Sequence, residues 1–472
     1  MIIVDNALKN REREGKPIRV GMIGAGFMGQ GLTNQITNSV PGMRMSAIYN
    51  RHPERAFNVY RYSGREEIGF AGSQNILDDA VRRDVPVVAE DPFAICRSPE
   101  IDVVIDVTGS VEFGAHVILE AFRYGKPVVL MNAEVDSTIG PVLRLYAKKN
   151  DVILSACDGD EPGVQMNLCR WVQGLGLTPR AIVNVKGLQD PYRNPTTQQG
   201  WAERWGQNAA MVTSFADGSK ISFEQSIVAN ATGFHVRSRG MSRGLVYDGS
   251  IMDVQKLYDI EELRDIGGIV DYTVGPPLIK AFCLAEHPDP KQRHYLNLYK
   301  MGEGPLYPFW IPYHLVHFET PNSIARVVLF RDELAPPLAG PEVEVCAVAK
   351  RDLKAGEVLD EYGMYTTYGE AANVDEMSSQ RYLPEGLVEG CKLKRDIPKD
   401  QVLTYDDVEL PAGRLADQLR AEQYLHFRGE NWLYERLQAG DYAPAADSKP
   451  NHPVTALPKM ENRSDKKGLP AI

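Results

Sequence analysis

The segment Arg19-Val-Gly-Met-Ile-Gly-Ala-Gly-Phe-Met-Gly-Gln30 constrains this chain more than any other. An apolar run, Ile18 to Ile23, leads directly into Gly-x-Gly-x-x-Gly at Gly24, Gly26 and Gly29, and a helix-compatible stretch, Gln30 to Ser39, follows. Each glycine has its own reason. The first permits the tight turn out of the strand, the second lets backbone approach a pyrophosphate, and the third lets the helix pack on the sheet. The helix N-terminus offers unpaired N–H groups and the positive end of its dipole to the phosphates. Gly24, Ala25, Gly26, Phe27, Met28 and Gly29 are therefore the expected dinucleotide contacts.

With 472 residues the chain is too long for one core, so two or three domains are expected. A net charge of −11 argues against a nucleic-acid partner, which needs a basic face, and gives no support to an anionic membrane. The six cysteines form no Cys-x-x-Cys pair, a pattern of reduced thiols rather than a disulfide framework. The N-terminus lacks a long apolar run and no segment reaches membrane-spanning length, so a cytoplasmic address is expected.

Apolar strands alternate with amphipathic helices through residue 156. The expected strands lie at 18–23, 43–49, 85–89, 101–107, 128–131 and 152–156. This alternation implies an α/β fold, a Rossmann-type doubly wound parallel sheet, over residues 1–165. Residues 166–335 read as an α+β catalytic and dimerisation domain. Strands are expected there at 181–186, 211–215 and 324–330, a strand turning to helix within 219–233, and an irregular loop over 305–313. Ala335-Pro-Pro-Leu-Ala-Gly-Pro341 reads as a linker. Beyond it lies a weak repeat. Val348-Ala-Lys-Arg-Asp-Leu-Lys-Ala-Gly-Glu-Val-Leu359 is echoed by Cys391-Lys-Leu-Lys-Arg-Asp-Ile-Pro-Lys-Asp-Gln-Val-Leu403. Each half reads strand, turn, strand, giving a compact β module over 342–430. The tail, 440–472, has the composition of a disordered segment.

The second strand ends Tyr49-Asn50-Arg51 with no carboxylate to take the ribose hydroxyls of NAD, and Arg51 suits a 2′-phosphate. NADPH is the expected cofactor. Thr108 and Gly109, after the 101–107 strand, and Asn132 and Glu134, after the next, fall on the ligand-facing edge and are expected beside the nicotinamide. Ser110 or Thr108 could equally serve as a helix cap.

Cys157-Asp-Gly-Asp-Glu-Pro-Gly163 places Asp158, Asp160 and Glu161 together. They could bind a hard cation such as Mg or Mn, position a proton or a substrate hydroxyl, or simply cap the helix that follows. The stretch from Lys186 to Gln198 crowds Asp190, Arg193, Asn194, Thr196 and Thr197 into one loop, with Arg204 and Asn208 beyond. Cations for anionic oxygens and Asn or Thr for hydroxyls suit a phosphorylated polyol or a sugar acid. Lys186 and Lys220 are candidates to polarise a carbonyl and manage its proton, with Glu224 near them in sequence. His314 and His317 share a helical spacing, but no third ligand accompanies them, so packed or exposed histidines are expected.

The glycine turn, the Val-Ile-Asp-Val-Thr-Gly strand and the following mixed domain resemble homoserine dehydrogenase. The doubled Arg-Asp…Val-Leu unit resembles the SAF, or β-clip, domain. Together they resemble homoserine-dehydrogenase-like oxidoreductases with a C-terminal SAF domain, one branch of which is similar to 1-deoxy-D-xylulose 5-phosphate reductoisomerase. The resemblance implies a homodimer with NADPH in the first domain and, in that branch, a product, 2-C-methyl-D-erythritol 4-phosphate, of isoprenoid precursor synthesis; the residues themselves offer Asp160, Glu161, Lys186, Lys220 and Glu224 for the catalysis. One departure counts against homoserine: Asn132-Ala133-Glu134 stands where those enzymes place Ala-Asn-Lys. The alternatives are a catabolic dehydrogenase of a sugar acid, polyol or hydroxy acid, and a non-enzymatic NADP-binding sensor.

Overall fold

The computed structural model describes residues 2–275, 279–338, 340–440 and 442. The expected disordered tail lies almost entirely outside these residues. The first unit is a seven-stranded parallel sheet: β1 (Ile18–Ile23), β2 (Met43–Tyr49), β3 (Gly69–Ala71), β4 (Val87–Ala89), β5 (Val103–Asp106), β6 (Val128–Leu130) and β7 (Leu154–Ala156). Their order is β3-β4-β2-β1-β5-β6-β7. The strands are buried almost throughout, as a sheet covered on both faces requires. Order reverses between β1 and its two neighbours, β2 and β5, and ligands of open α/β sheets bind at such a point. At that point α1 (Phe27–Ser39) leaves the C-terminal edge after β1; farther along the same edge α2 (Ala133–Lys149) follows β6 and α3 (Glu161–Gly174) follows β7.

The second unit is a five-stranded mixed sheet formed by β8 (Thr178–Lys186), β9 (Leu245–Val246), β10 (Ile269–Val274), β11 (Ala281–Glu286) and β12 (Leu306–Ile311), in the order β12-β11-β8-β10-β9. Two helices, α4 (Ala209–Asp217) and α5 (Ser219–Thr232), cross beside it. Four expectations fail here. Residues 211–215 are not a strand but the middle of α4, which Asn208 starts by accepting a hydrogen bond from the Ala210 N–H. Residues 324–330 end one helix, Val316–Ala325, and continue as a wide turn of π-helix, Arg326–Phe330. Residues 305–313, expected to be irregular, hold β12. It is an edge strand, where Pro308 can be accommodated. The segment 219–233 is helical from its start rather than strand first.

The third unit pairs β13 (Val343–Ala349) with β14 (Thr367–Asn373) and β15 (Lys392–Leu393) with β16 (Val408–Glu409). The sequence repeat has a structural meaning. Leu353 and Ile397 occupy equivalent repeat positions, and they exchange backbone bonds of 2.8 and 3.0 Å with each other. The halves thus pair across a local pseudo-two-fold instead of standing as separate hairpins. A last helix, α6 (Leu415–Arg428), returns to the first unit. Its first N–H groups, on Leu415 and Ala416, donate to the Glu112 carboxylate at 2.9 and 2.8 Å. Its fully buried Arg420 pairs with Glu344 at 2.7 Å and also reaches the Thr138 carbonyl of α2. All six cysteines are buried free thiols. Among the described residues, no helix is long and apolar enough to cross a membrane.

Candidate active site

The glycine turn has the three-part geometry its spacing demands. Gly24 sits at φ +108°, and a Cβ there would come within 3.1 Å of the Val107 carbonyl. A Cβ on Gly26 would meet nothing within 4 Å, so the approach from the ligand side is clear. A Cβ on Gly29 would press on Met22 at 3.2 Å. Gly26 caps α1 without any side-chain bond, which leaves the helix's first N–H groups free for phosphate oxygens. The residues present therefore fit a dinucleotide, and Ala25, Phe27 and Met28 line the same turn. At the tip of β2, Asn50 accepts from the His52 N–H at 2.9 Å, shaping the turn that presents Arg51 outward.

The nicotinamide edge is built on a buried carboxyl. Asp106 accepts from the Thr108 hydroxyl at 2.7 Å, the Thr108 N–H at 2.9 Å and the Asn132 amide at 2.8 Å. Asn132 also caps α2 through the Val135 N–H, and Ser110 caps the helix that follows β5. The caps do not conflict with the expected place at the cofactor edge, because the cap residues are the last ones before each helix. Gly109, at φ +71°, follows Thr108 on this edge.

Beside it lies a buried cluster of charged groups. The Lys186 ammonium, at the end of β8, donates to Glu161 at 2.5 Å and to Glu224 at 3.2 Å. Glu161 also accepts from Asn184 at 2.5 Å, and His314 stands 3.6 Å from its other oxygen. From α5, Lys220 donates to Glu134 at 3.0 Å. Asp160 lies close enough to Lys220 to feel its charge. Glu134, Glu161, Lys220 and Glu224 are all buried. Burial works against both ammonium groups. The carboxylates around them nevertheless hold Lys186 above its usual range and Lys220 well above it. Burial would also raise Glu161, but Lys186 dominates with help from Glu224 and His314, and the group is held below the usual carboxylate value. Glu224 goes the other way: burial, then the neighbouring Glu161 anion, push it well above. Burial raises Asp160 against the opposing pull of Lys220. Within the Glu161–Glu224 pair the proton is thus favoured on Glu224 over Glu161.

Of the sequence candidates, Asp160, Glu161, Lys186, Lys220 and Glu224 meet in this cluster. Glu134 joins it through Lys220 and does not stand with the nicotinamide edge alone. Asp158 faces elsewhere. It is fully buried and accepts from Arg326 at 2.8 Å and Ser323 at 2.6 Å, fastening α3's approach to the Val316–Ala325 helix. The 190–208 candidates have local partners. Arg193 pairs with Asp190 at 2.9 Å, Asn194 and Thr197 form the capping box of the Pro195–Trp205 helix, Arg204 lies over Trp201, and Asn208 caps α4. Thr196 bonds the Tyr365 hydroxyl at 3.0 Å. As for the Mg or Mn expectation, the described residues contain no group of three or more His, Cys, Asp and Glu arranged to hold a metal; lysine ammoniums stand between the carboxylates instead. His314, expected from the sequence to be a packed or exposed histidine, stands beside Glu161, which is remote in the chain.

Residues 18–131 match the family described as oxidoreductase family, NAD-binding Rossmann fold. Residues 159–320 match the family described as oxidoreductase DRL, catalytic domain, and carry Asp160, Glu161, Lys186, Lys220, Glu224 and His314. Both of these matched models are described as oxidoreductases. Residues 344–409 of the chain match the SAF domain. It is 25% identical over 141 residues to homoserine dehydrogenase of Neisseria gonorrhoeae, covering 29% of this chain and 28% of that one. It is 26% identical over 171 residues to the homoserine dehydrogenase of Pseudomonas aeruginosa, covering 34% and 36%. The matched segments thus span about a third of those relatives. Among solved structures, scyllo-inositol dehydrogenase from Lactobacillus casei with NAD(H) and scyllo-inositol aligns at 11% identity, covering 68% of this chain and 92% of that one, with a TM-score of 0.40. Biliverdin reductase from Synechocystis with biliverdin and NADP+ aligns at 16% identity over 37% and 48%, with a TM-score of 0.26.

Proposed function

We propose that this oxidoreductase interconverts a secondary alcohol and a ketone on a small polyhydroxy acid or polyol, with NADP(H) as the preferred cofactor. The observation that carries the reading is the pair of lysines, Lys186 partly buried and Lys220 buried, each held charged by carboxylates that include Glu134 after β6 and Glu161 after β7. When bound, the nicotinamide supplies or accepts the hydride. The protein's own residues manage the proton. In the reducing direction, charged Lys186 donates its proton to the carbonyl oxygen, and the neutral carboxyl of Glu224, 3.2 Å away, restores it. Lys220, Glu134 and Asp160 offer a donor and acceptors for neighbouring hydroxyls. Arg51 at the tip of β2, with no acid at that position, supports NADPH over NADH.

The reductoisomerase reading needs, in addition, a cationic seat for a phosphate. Arg193 and Lys220 are both engaged by carboxylates and Arg204 by an indole ring, which favours the plain dehydrogenase. The test is an absorbance assay following NADPH and NADP+ across a panel of four- to six-carbon sugar acids, their keto forms, inositols, homoserine and 1-deoxy-D-xylulose 5-phosphate. Turnover of a sugar acid or polyol is expected. Turnover of deoxyxylulose phosphate alone would replace this reading with the reductoisomerase.

A further inference from the structure

The C-terminal module does not merely sit behind the oxidoreductase; one of its loops, 360–366, reaches the site. Tyr362 donates its hydroxyl to the Gly109 carbonyl at 3.1 Å, at the nicotinamide edge. Its ring packs edge-on against Phe223, with centroids 5.7 Å apart and planes at 81°. Phe223 stands on α5 between Lys220 and Glu224. The loop is held on every side. Gly363, at φ +74°, presses so closely on α4 that a Cβ would lie 2.3 Å from the Ala210 carbonyl. Tyr365 bonds Thr196. The Asp360 carboxylate gathers the N–H groups of Tyr365 and Thr366 at 3.0 and 3.1 Å. At the end of β13, buried Lys350 ties the loop's Met364 carbonyl, the Arg193 carbonyl and the Asp217 carboxylate together, each at 2.9 Å.

We propose that Tyr362 is a positioning residue of the active site, supplied by the C-terminal module, and that loop 360–366 is the wall joining the cofactor edge to the Lys220–Glu134 pair. This rests on the reading of that lysine cluster as the reactive site. Burial, then the nearby Glu134 carboxylate, push the Tyr362 phenol well above its usual range, so it stays a neutral donor throughout the working pH range. A neutral hydroxyl that gives its one proton to Gly109 holds the ring against the Lys220–Glu134 pair without adding charge to a crowded site. The module's place in the chain then has a catalytic reason: the active site is complete only when the module is docked.

Tyr362→Phe keeps the ring against Phe223 and removes only the hydroxyl. Two measurements decide the matter. In steady-state kinetics on the compound turned over in the panel, Y362F should lower kcat at least tenfold, leave KM within about threefold and leave the NADPH dissociation constant within about twofold. In hydrogen exchange on the full chain with NADPH alone, amides of 360–366 should gain protection. A wild-type kcat in Y362F, even with lowered thermal stability, means a purely structural tyrosine and overturns the proposal. Unchanged exchange at 360–366 on adding NADPH overturns it as well. If no compound in the panel is turned over, the proposed function fails on its own, and the exchange result still decides whether the loop belongs to the cofactor site.

Discussion

Replacing Lys186 with Met removes the ammonium that Glu161 and Glu224 share and leaves a side chain of similar length. In the intact protein Glu161 is held below its usual value, so its contribution is present above an unfolded pKa of about 4.3 and is lost as pH falls through the folded value. Lys186 is held above its usual value, so its contribution is present below about 10.4 and is lost as pH rises through the folded value. The pair therefore stabilises the protein across the whole neutral range. In K186M the largest charge opposing burial is gone, and burial, resisted only by Glu224, His314 and the Asn184 amide, pushes Glu161 up. Its sign inverts, and stability then declines as pH climbs past about 4.3, at about 1.4 kcal/mol per unit. Between pH 4.5 and 7 the gap from wild type should widen by up to roughly 3 kcal/mol, consistent with the ~3–5 kcal/mol cost of breaking a buried pair. Scanning calorimetry at pH 4.5, 5.5 and 7.0 measures it as a Tm difference that grows with pH by several degrees. In the assay kcat should fall about 10²–10⁴-fold, the range of a general acid. A Tm difference that stays constant from pH 4.5 to 7, or a kcat within threefold of wild type, would refute the reasoning.

Gly26→Ala, whose added methyl meets nothing in the protein, should leave Tm within a degree or two yet weaken NADPH at least tenfold by fluorescence titration; unchanged binding would remove the pyrophosphate from this turn. Gly24→Ala instead places a side chain at φ +108° against Val107, and should lower Tm measurably even without cofactor. Arg51→Ala should reduce the NADPH-over-NADH preference by about tenfold, since a hydrogen bond to a charged group contributes about 1.5–3 kcal/mol; an unchanged ratio of dissociation constants counts against the 2′-phosphate contact. Arg420→Ala strands the buried Glu344 carboxylate and should cost about 3–5 kcal/mol by chemical denaturation.

The nucleotide-binding unit was legible because its signals are local. Buried parallel strands appear as short apolar runs, and the glycine turn names its own ligand edge. In the second unit, β-branched runs misled. Val212-Thr213 and Val327-Val328 look like strand, but Asn208 and tertiary packing make the segments helical. The reactive cluster was readable as a set of residue types but not as partners. Glu161 to Lys186 and Glu134 to Lys220 are long-range pairs that only the sheet order brings together. In the polar crowding of 190–208, Asn194, Thr197 and Asn208 do what such residues do most often, which is cap helices. Tyr362 carried no local signal at all; it lies in the stretch separating the two repeat halves, and its role depends on how the module docks.

The measurement that bears most directly on the central claim is label transfer. The oxidoreductase is incubated with NADPH carrying deuterium at C4 and the keto forms of the panel, and products are read by mass spectrometry. The account predicts one deuterium per turnover on the carbon of a new secondary alcohol, with the signal lost in K186M although that variant still binds NADPH. Tight NADPH binding with no deuterium delivered to any sugar acid or polyol would contradict it.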